Sequence, residues 1–497
     1  MTLLIRGARV LRPGADPHRP PVADVLVEGA RIAAIAGLDD PPLLSPGVEI
    51  LDARGKLLIP GLVSAHYHSY DALLKGRFED TPFDVWALHS QPAYWGTRSK
   101  QELRLRTLLG AMEALRAGIT TVQDMNSLVP QDEETLDVIL SAYEEAGIRV
   151  VFAAALRDLP DLDIAPFLPA DLPPEVAAIV GGAPRDPRAD LDFVATQLSR
   201  VAAHPRRHWA LAASGPQRCS RRLLEGLAAL SDTHGLPVFT HVYETRAQLA
   251  KARRIYPDGS MITALREAGL LTPRTTLAHC VHITEAEIAT LAQAGTGVVL
   301  NPLANLKLKN GVAPVAALKR AGVRLALGCD NNSCSDCQNL FQAMKLTTLL
   351  AAGSDANPTG VLACDAVEAA TTGGARAVGL AGEIGALVPG MRADLVLLDL
   401  DDLAWQPFAS ATRQLVYSEA GRAVHTVLVD GRVVLRAGRL TTVDEATFRA
   451  ELAEAMEAVE RDLVALGARV APAIPPLLAA NETLSRRDLG MDRLAPR

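Results

Sequence analysis

The sequence predicts an α/β fold: a (β/α)8 TIM-like barrel carrying a small composite β-sandwich built from both chain ends. Three observations point there. From about residue 57, short apolar runs rich in Val, Ile, Leu and Ala alternate with longer amphipathic stretches, the pattern of parallel strands covered by helices. Eight such runs can be counted, which favours a closed barrel over an open doubly wound sheet. The two chain ends read differently, as strand after strand with no helices between them.

Taken in order, the N-terminal flank (1–58) supplies the strand candidates LLIRGARVL, DVLVEGARIAAI and VEILDAR, read as an antiparallel unit. The barrel (59–390) begins with LVSAH (62–66), TTVQDM (120–125), VVFAAAL (150–156) and WALAAS (209–214). It continues with VFTHV (238–242), TTLAH (275–279), GVVLN (297–301) and RLALGCD (324–330). Between the first two runs, SKQELRLRTLLGAMEALRAG reads as a helix, with Ser99 as its N-cap and Gly118 as its stop. The Gly- and Pro-containing segment 157–190 reads as a loop with short helices. ADLVLLDL and AVHTVLVDGRVVLRAGRL, within 391–443, complete the sandwich, and 444–497 reads as a helical tail.

The bulk properties narrow the function classes. A chain of 497 residues, 49% hydrophobic, is long enough for one large domain and an accessory one. Its net charge of −7 and lack of any Lys/Arg run argue against nucleic acid as a partner. The first thirty residues interrupt their apolar runs with Arg, Pro, Asp and Gly, so they hold neither a signal-peptide core nor a spanning segment. The expectation is a cytoplasmic protein with no membrane partner, acting on a small molecule and assembling as a homo-oligomer, dimer or higher. Six cysteines are too sparse for a secreted disulfide scaffold. Cys334 and Cys337 form a CxxC with Cys329 nearby, but structural zinc usually takes four ligands and there is no second pair, so these read as loop thiols.

His66 and His68 flank Tyr67 at the end of the first barrel strand. Side chains alternate along a strand, so both imidazoles project to one side and Tyr67 to the other. An HxH alone is weak evidence, since paired histidines also occur on surfaces and in cores. Its position strengthens it, because barrel active sites sit at the C-terminal strand ends. The same placement recurs at His241 in VFTHVYET, His279 in TTLAHCVH and Asp330 in LALGCDNN. Four strands thus point at one place. His204, His208 and His234 fall in helical or loop segments and read as surface residues.

PGLVSAHYH, HVYE, AHC and GCD, in that order and at those strands, resemble the amidohydrolase superfamily over most of the chain. The H-x-x-E after strand five and NPLANLKLKNG after strand seven resemble the branch containing atrazine chlorohydrolase and the guanine, S-adenosylhomocysteine and cytosine deaminases. The resemblance implies that His66, His68, His241 and Asp330 hold a metal and that Glu244 shuttles a proton. It implies that His279 is a base, set either behind the metal ligands or towards substrate, and that Asp330 and His279 orient and deprotonate the water. Binuclear members place a bridging carboxylated lysine on an early barrel strand. Here no lysine occurs from 101 to 250, and Lys75 and Lys100 lie outside any assigned strand. One divalent metal per chain follows, zinc or else ferrous iron.

The implied reaction is hydrolysis of a carbon–nitrogen bond of a small molecule through a metal-activated water, with deamination of a nitrogen heterocycle favoured. The alternatives are hydrolysis of an acyclic amide, carbamate or urea, and triazine-type dechlorination. A non-catalytic interaction protein of the same fold is disfavoured because every ligand is kept. Asn305, Gln217, Trp86 and Arg218 are candidate substrate contacts, with Trp86 expected in the long loop after the HxH. DNNSCSDCQN after strand eight departs from many relatives, which leaves the specificity of any single relative untransferred.

Overall fold

A computed structural model of the chain describes residues 2–37, 47–354 and 360–493. Its two sheets meet at Gly61, and five strands precede that point: β1 (Thr2–Val10), β2 (Val22–Glu28), β3 (Arg31–Gly37), β4 (Glu49–Asp52) and β5 (Lys56–Pro60). The barrel strands then begin with β6 (Leu62–His68), β7 (Ile119–Asn126) and β8 (Arg149–Leu156), followed by β9 (Arg207–Trp209) and β10 (Leu211–Ala213). They end with β11 (Val238–Val242), β12 (Thr275–His279), β13 (Gly297–Leu300), β14 (Arg324–Leu327) and β15 (Asp330–Asn331). Every pairing among them is parallel. The fourth and eighth barrel strands are each split in two. Because β14 pairs with β13 and β15 with β6, the eighth strand closes the ring.

Alternation along these strands separates two cores. One face points into the barrel, where Val63, Ala65, Val151, Ala153, Ala210, Ala212, Phe239 and Ala278 form a compact cluster. The interior is narrow, which is why so many of these residues are alanine. The opposite face, including Leu62, Val150, Phe152, Val238, Leu277 and Val298, packs under the surrounding helices. The first of these helices runs Lys100–Arg116; the Ser99 side chain accepts from the Glu102 amide, and Gly118, at φ 72°, turns the chain into β7. Segment 157–190 carries a short 3-10 turn, Ala165–Phe167, and the helix Pro174–Val180.

Four more strands, β16 (Leu395–Asp399), β17 (Val424–Val429), β18 (Arg432–Arg436) and β19 (Arg439–Leu440), join β1–β5 in one nine-stranded sheet. The two chain ends meet where β5 pairs with β16, Leu58 opposite Leu397 and Pro60 opposite Leu395. One correction applies: the N-terminal unit is mixed rather than antiparallel, since β4 and β5 both pair with β1 in parallel. β2 and β3 fold back on one side of β1, and the chain then crosses to the other side, where it runs in the same direction as β1. Leu3, Ile5, Val25, Leu58, Leu397 and Leu428 form a core within this sheet, while Leu57, Ile59, Val396 and Val427, on the other face, join the barrel's outer core.

At the barrel floor the fully buried Arg149 of β8 donates to Asp394 Oδ2 through Nε (3.0 Å) and to Asp394 Oδ1 through Nη2 (2.9 Å), just before β16. His208, expected on the surface, lies half-buried on β9 with Nε2 3.4 Å from Arg149 Nη1. Burial first, and then the Arg149 charge, push its pKa down to about 4.

The tail forms the helices Glu445–Val470 and Ile474–Arg486, separated by a turn at Ala471–Ala473. Phe448, Val459, Leu466, Leu477 and Leu484 form its buried side. By length and composition Glu445–Arg486 is apolar enough to cross a membrane, and 28% of its most apolar window is buried against the rest of the chain. Residues 494–497 of the expected tail lie outside the described residues.

Candidate active site

His66 and His68 emerge from the last turn of β6, and the pleat aims both rings to the same side. His241 comes from β11 and Asp330 from β15, whose pairing with β6 sets Asp330 beside Tyr67 and Asn331 beside His68. The His68 Nδ1 lies 2.5 Å from the Met125 carbonyl and the His241 Nδ1 lies 2.6 Å from that of Ser214. A carbonyl only accepts, so each Nδ1 carries its proton and each Nε2 is left with a lone pair. Those two Nε2 atoms are 3.3 Å apart, and Asp330 Oδ1 lies 3.6 Å from His66 Nε2 and 3.5 Å from His68 Nε2.

Four tetrahedral ligands at about 2.0–2.1 Å from one ion stand roughly 3.3–3.4 Å apart, so the spacing of these atoms fits a single metal. The fit has a second support. His66 is fully buried, yet neither of its ring nitrogens has a hydrogen-bond partner. Burial holds His68 at a pKa of about 4 and His66 and His241 well below the ordinary imidazole value. The rings are therefore neutral, as metal ligands must be.

Beside this cluster lies an acid–base pair. The His279 Nδ1–H donates to Asn305 Oδ1 (2.8 Å), which turns Nε2 towards Asp330 Oδ2 (3.7 Å) and Glu244 Oε2 (3.8 Å). Glu244 follows β11 and is only 2% exposed. Its amide donates to Gln248 Oε1 (2.8 Å), and its Oε1 accepts from Asn310 Nδ2 (3.0 Å). Burial pushes the Glu244 carboxyl up to about 8, against the opposing charge of Arg218, and burial likewise pushes Asp330 up to about 7.

The backbone at these strand ends is strained. Tyr243 (φ 50°), His279 (φ 72°), Cys280 (φ 47°) and Asp330 (φ 61°) all occupy the left-handed region, which non-glycine residues hold only where the surroundings enforce it. Gly328, between β14 and β15, has the opposite task. A Cβ there would lie 2.4 Å from Asn301 Oδ1 and 2.8 Å from the His66 Cβ, so only glycine lets the eighth strand pass so close to His66.

The expected substrate contacts divide. Trp86 and Arg218 line the cavity beside Glu244, whereas Asn305 and Gln217 do not. Asn305 backs His279, and Gln217 donates to Asp163 Oδ2 (3.1 Å). Trp86 sits on the helix Phe83–Ser90 rather than in a loop, with Nε1 donating to Ser333 Oγ (2.8 Å). Cys334 also lines the cavity, from the short helix Asn332–Ser335 rather than a loop, and all six cysteines are free thiols.

Sequence reasoning missed the support around Arg218. The fully buried Asp163 accepts from Arg218 Nε (3.1 Å) on Oδ2 and from Lys251 Nζ (3.1 Å) on Oδ1. Gln248 and Lys251 stand four and seven residues beyond Glu244 on the helix Arg246–Ile255, a helical spacing that could have found them. Asp163 lies in the irregular segment after β8 and carries no such signal. The cavity itself is small, about 20 Å³, and past Ser127 and Ala155 it borders a cleft of about 980 Å³ that includes Trp95, Arg157 and Arg185.

Residues 57–434 match the Amidohydrolase family model. The chain belongs to the amidohydrolase family, and it is a hydrolase of carbon–nitrogen bonds other than peptide bonds. It is 34% identical to a 5'-deoxyadenosine deaminase of Methanothermobacter thermautotrophicus over 467 residues, 92% of this chain and 98% of that one. It is 32% identical to a 5-methylthioadenosine/S-adenosylhomocysteine deaminase of Desulforudis audaxviator, covering 90% and 96%. An adenosine deaminase from Xanthomonas campestris, crystallised with bound zinc, superposes with a TM-score of 0.79 at 27% identity, covering 92% of this chain and 98% of the other. A mutant atrazine chlorohydrolase from Arthrobacter aurescens, complexed with zinc and atraton, shares the fold with a TM-score of 0.79 at 21% identity, covering 91% and 99%.

Proposed function

We propose that the chain deaminates the adenine ring of an adenosine-derived nucleoside, using one zinc ion held by His66, His68, His241 and Asp330. The observation that carries this reading is the placement of Glu244, which shares the buried site with four ligand-type side chains while its own oxygens are held by Asn310 and Gln248. A carboxylate so placed can move protons without competing for the metal. The deaminase relatives, aligned over nearly the whole chain, support the nucleoside.

When bound, a divalent cation supplies the Lewis acidity that makes water a nucleophile at neutral pH. The chain's own residues do the rest. Asp330 and His279 orient the water and accept its proton as it adds to the ring carbon bearing the amine. Glu244, protonated at the outset, gives its proton to the ring nitrogen; the proton taken from the water then passes to the departing amine while the adduct's hydroxyl returns its remaining proton to Glu244, so the carbonyl forms, the carbon–nitrogen bond breaks and ammonia leaves. Trp86 offers a flat apolar wall and Arg218 a fixed donor edge to the heterocycle. Asn305 and Gln217 act at one remove, holding His279 and the Asp163–Arg218 pair. The outer cleft has room for the sugar and its 5′ substituent.

The test is ammonia release, with the accompanying ultraviolet shift, on zinc-loaded protein given 5′-deoxyadenosine, 5′-methylthioadenosine, S-adenosylhomocysteine, cytosine, guanine, a triazine and an acyclic urea. A nucleoside is expected to lead the panel in kcat/KM by about a hundredfold or more, the scale on which a pocket built for particular polar groups rejects ligands lacking them. Turnover of the urea with none of any nucleoside would overturn the reading in favour of acyclic amide chemistry.

A further inference from the structure

Glu244 is held by side chains from two separate elements, and the end of the chain is stitched to both. Gln248 stands on the helix Arg246–Ile255, and Asn310 stands in the loop that follows the short helix Pro302–Lys307. On the helix side, Arg246 Nε donates to the Leu484 carbonyl (3.2 Å), its Nη2 to the Arg487 carbonyl, and Arg253 Nη2 to the Leu489 carbonyl (2.8 Å). On the loop side, the Val312 amide donates to the Arg493 carbonyl (2.7 Å) and Arg493 Nη2 to the Ile283 carbonyl (3.2 Å). His282 Nε2, 2.9 Å from the Asn310 carbonyl, fixes the loop from below.

Gly311 makes the docking site. Its φ is +113°, and a Cβ there would lie 2.4 Å from the Arg493 carbonyl oxygen, so any side chain would displace the tail. The tail contributes mainly backbone carbonyls, which makes the contact depend on the path of the chain more than on its side chains. The whole segment lies beyond residues 57–434, the part that matches the family model.

We infer that residues 484–493 are a clamp that positions Glu244. By tying the Arg246–Ile255 helix to the 310–312 loop, the segment fixes Gln248 and Asn310, and through them the carboxylate. The inference rests on Glu244 being the proton carrier proposed above. A carboxylate displaced by an ångström loses transition-state contacts while the metal ligands and ground-state binding stay in place. Gln248, Asn310 and the tail are positioning elements; none of them takes part in the chemistry.

The test compares the full zinc-loaded chain with a chain ending at Arg486. Amide hydrogen exchange is followed in segments 243–250 and 308–313, with zinc content and with kcat and KM on 5′-deoxyadenosine. The truncated chain is expected to exchange on the order of tenfold faster in those two segments and at the full chain's rate in β6–β8. It should keep its zinc, and kcat should fall roughly tenfold with KM within about threefold. Arg253→Ala in the full chain, which removes the bond to the Leu489 carbonyl and lies outside both measured segments, should speed exchange in 243–250 in the same direction and keeps the test decisive if the shortened chain folds poorly. Asn310→Ala should cost less in the truncated chain than in the full one, because both act through the same carboxylate. Unchanged exchange in the two segments overturns the clamp whatever the substrate proves to be. Faster exchange with an undiminished kcat overturns its link to Glu244. A full chain inactive on every nucleoside would instead overturn the substrate reading, and the exchange result would still decide whether the tail holds these segments.

Discussion

His66 is fully enclosed with two ring nitrogens that no protein atom satisfies, and an unsatisfied buried polar group costs about 1–3 kcal/mol. A cation held as proposed by His66, His68, His241 and Asp330 would offset that cost at one of the two nitrogens, while Glu244, outside that set, would move the proton. His241→Ala is therefore expected to lose zinc and activity together. Glu244→Gln keeps size and hydrogen bonding but cannot carry a proton, so zinc content should stay normal while turnover falls about a hundred- to ten-thousand-fold. Elemental analysis alongside kcat for the two variants checks this; zinc loss from the Gln variant would make Glu244 a ligand. His66, His68, His241, His279 and Asp330 are legible as the polar residues where apolar strands stop, and Glu244 through the resemblance of its H-x-x-E to the amidohydrolase superfamily. The pocket contacts were less so. Strand periodicity fixes which side chains reach the barrel mouth but says nothing of how a loop aims Gln217, and Asn305 turned out to sit behind His279.

At the scale of elements, the joint between the two sheets rests on a buried ion pair. Arg149 and Asp394 are almost wholly enclosed, with Asp430 also 3.4 Å from Arg149 Nη2 and bonded to Arg392 (2.6 Å). Removing one partner leaves the other charges buried and uncompensated. Arg149→Met is expected to cost about 3–5 kcal/mol, far more than a surface pair would, without altering zinc content or the pocket. Denaturant unfolding would measure it, and a loss under about 1 kcal/mol would mean that water already reaches Asp394. None of this joint was visible in the sequence, because Arg149 and Asp394 are 245 residues apart and each looks like an ordinary flanking charge. The strands themselves were visible from their alternation. Their directions in the terminal sheet were not: alternation sets the face a residue takes but not whether its neighbour runs parallel, so β4 runs opposite to expectation, and β5, too short to show an alternation, is not legible as a strand.

For the whole molecule, a metal held as proposed would cross-link the first, fifth and eighth barrel strands, the first and eighth being the pair that closes the ring. Among the described residues, the two groups able to hold an ion, His66–His68–His241 and His66–His279–Asp330, share His66 and form one cluster. Lys251, on the helix that follows Glu244, is committed to Asp163 (3.1 Å) and so is not available to bridge a second ion. One zinc per chain is therefore expected, bound to the folded state and absent from the unfolded one. Such a ligand stabilises by mass action, about 4 kcal/mol when free zinc is a thousand times its Kd. Chelation should lower the apparent Tm by several degrees, since about 1 kcal/mol moves a domain of 150–250 residues by roughly 2–4 °C and a longer chain by less. Titrating zinc back into the chelated protein should restore both Tm and turnover, with both curves breaking at one equivalent. The coincidence matters more than either curve alone, because a second ion needed for catalysis would leave activity still rising after Tm had levelled off. A break at two equivalents in both curves would overturn the mononuclear site and require a bridging ligand among residues now assigned to other partners.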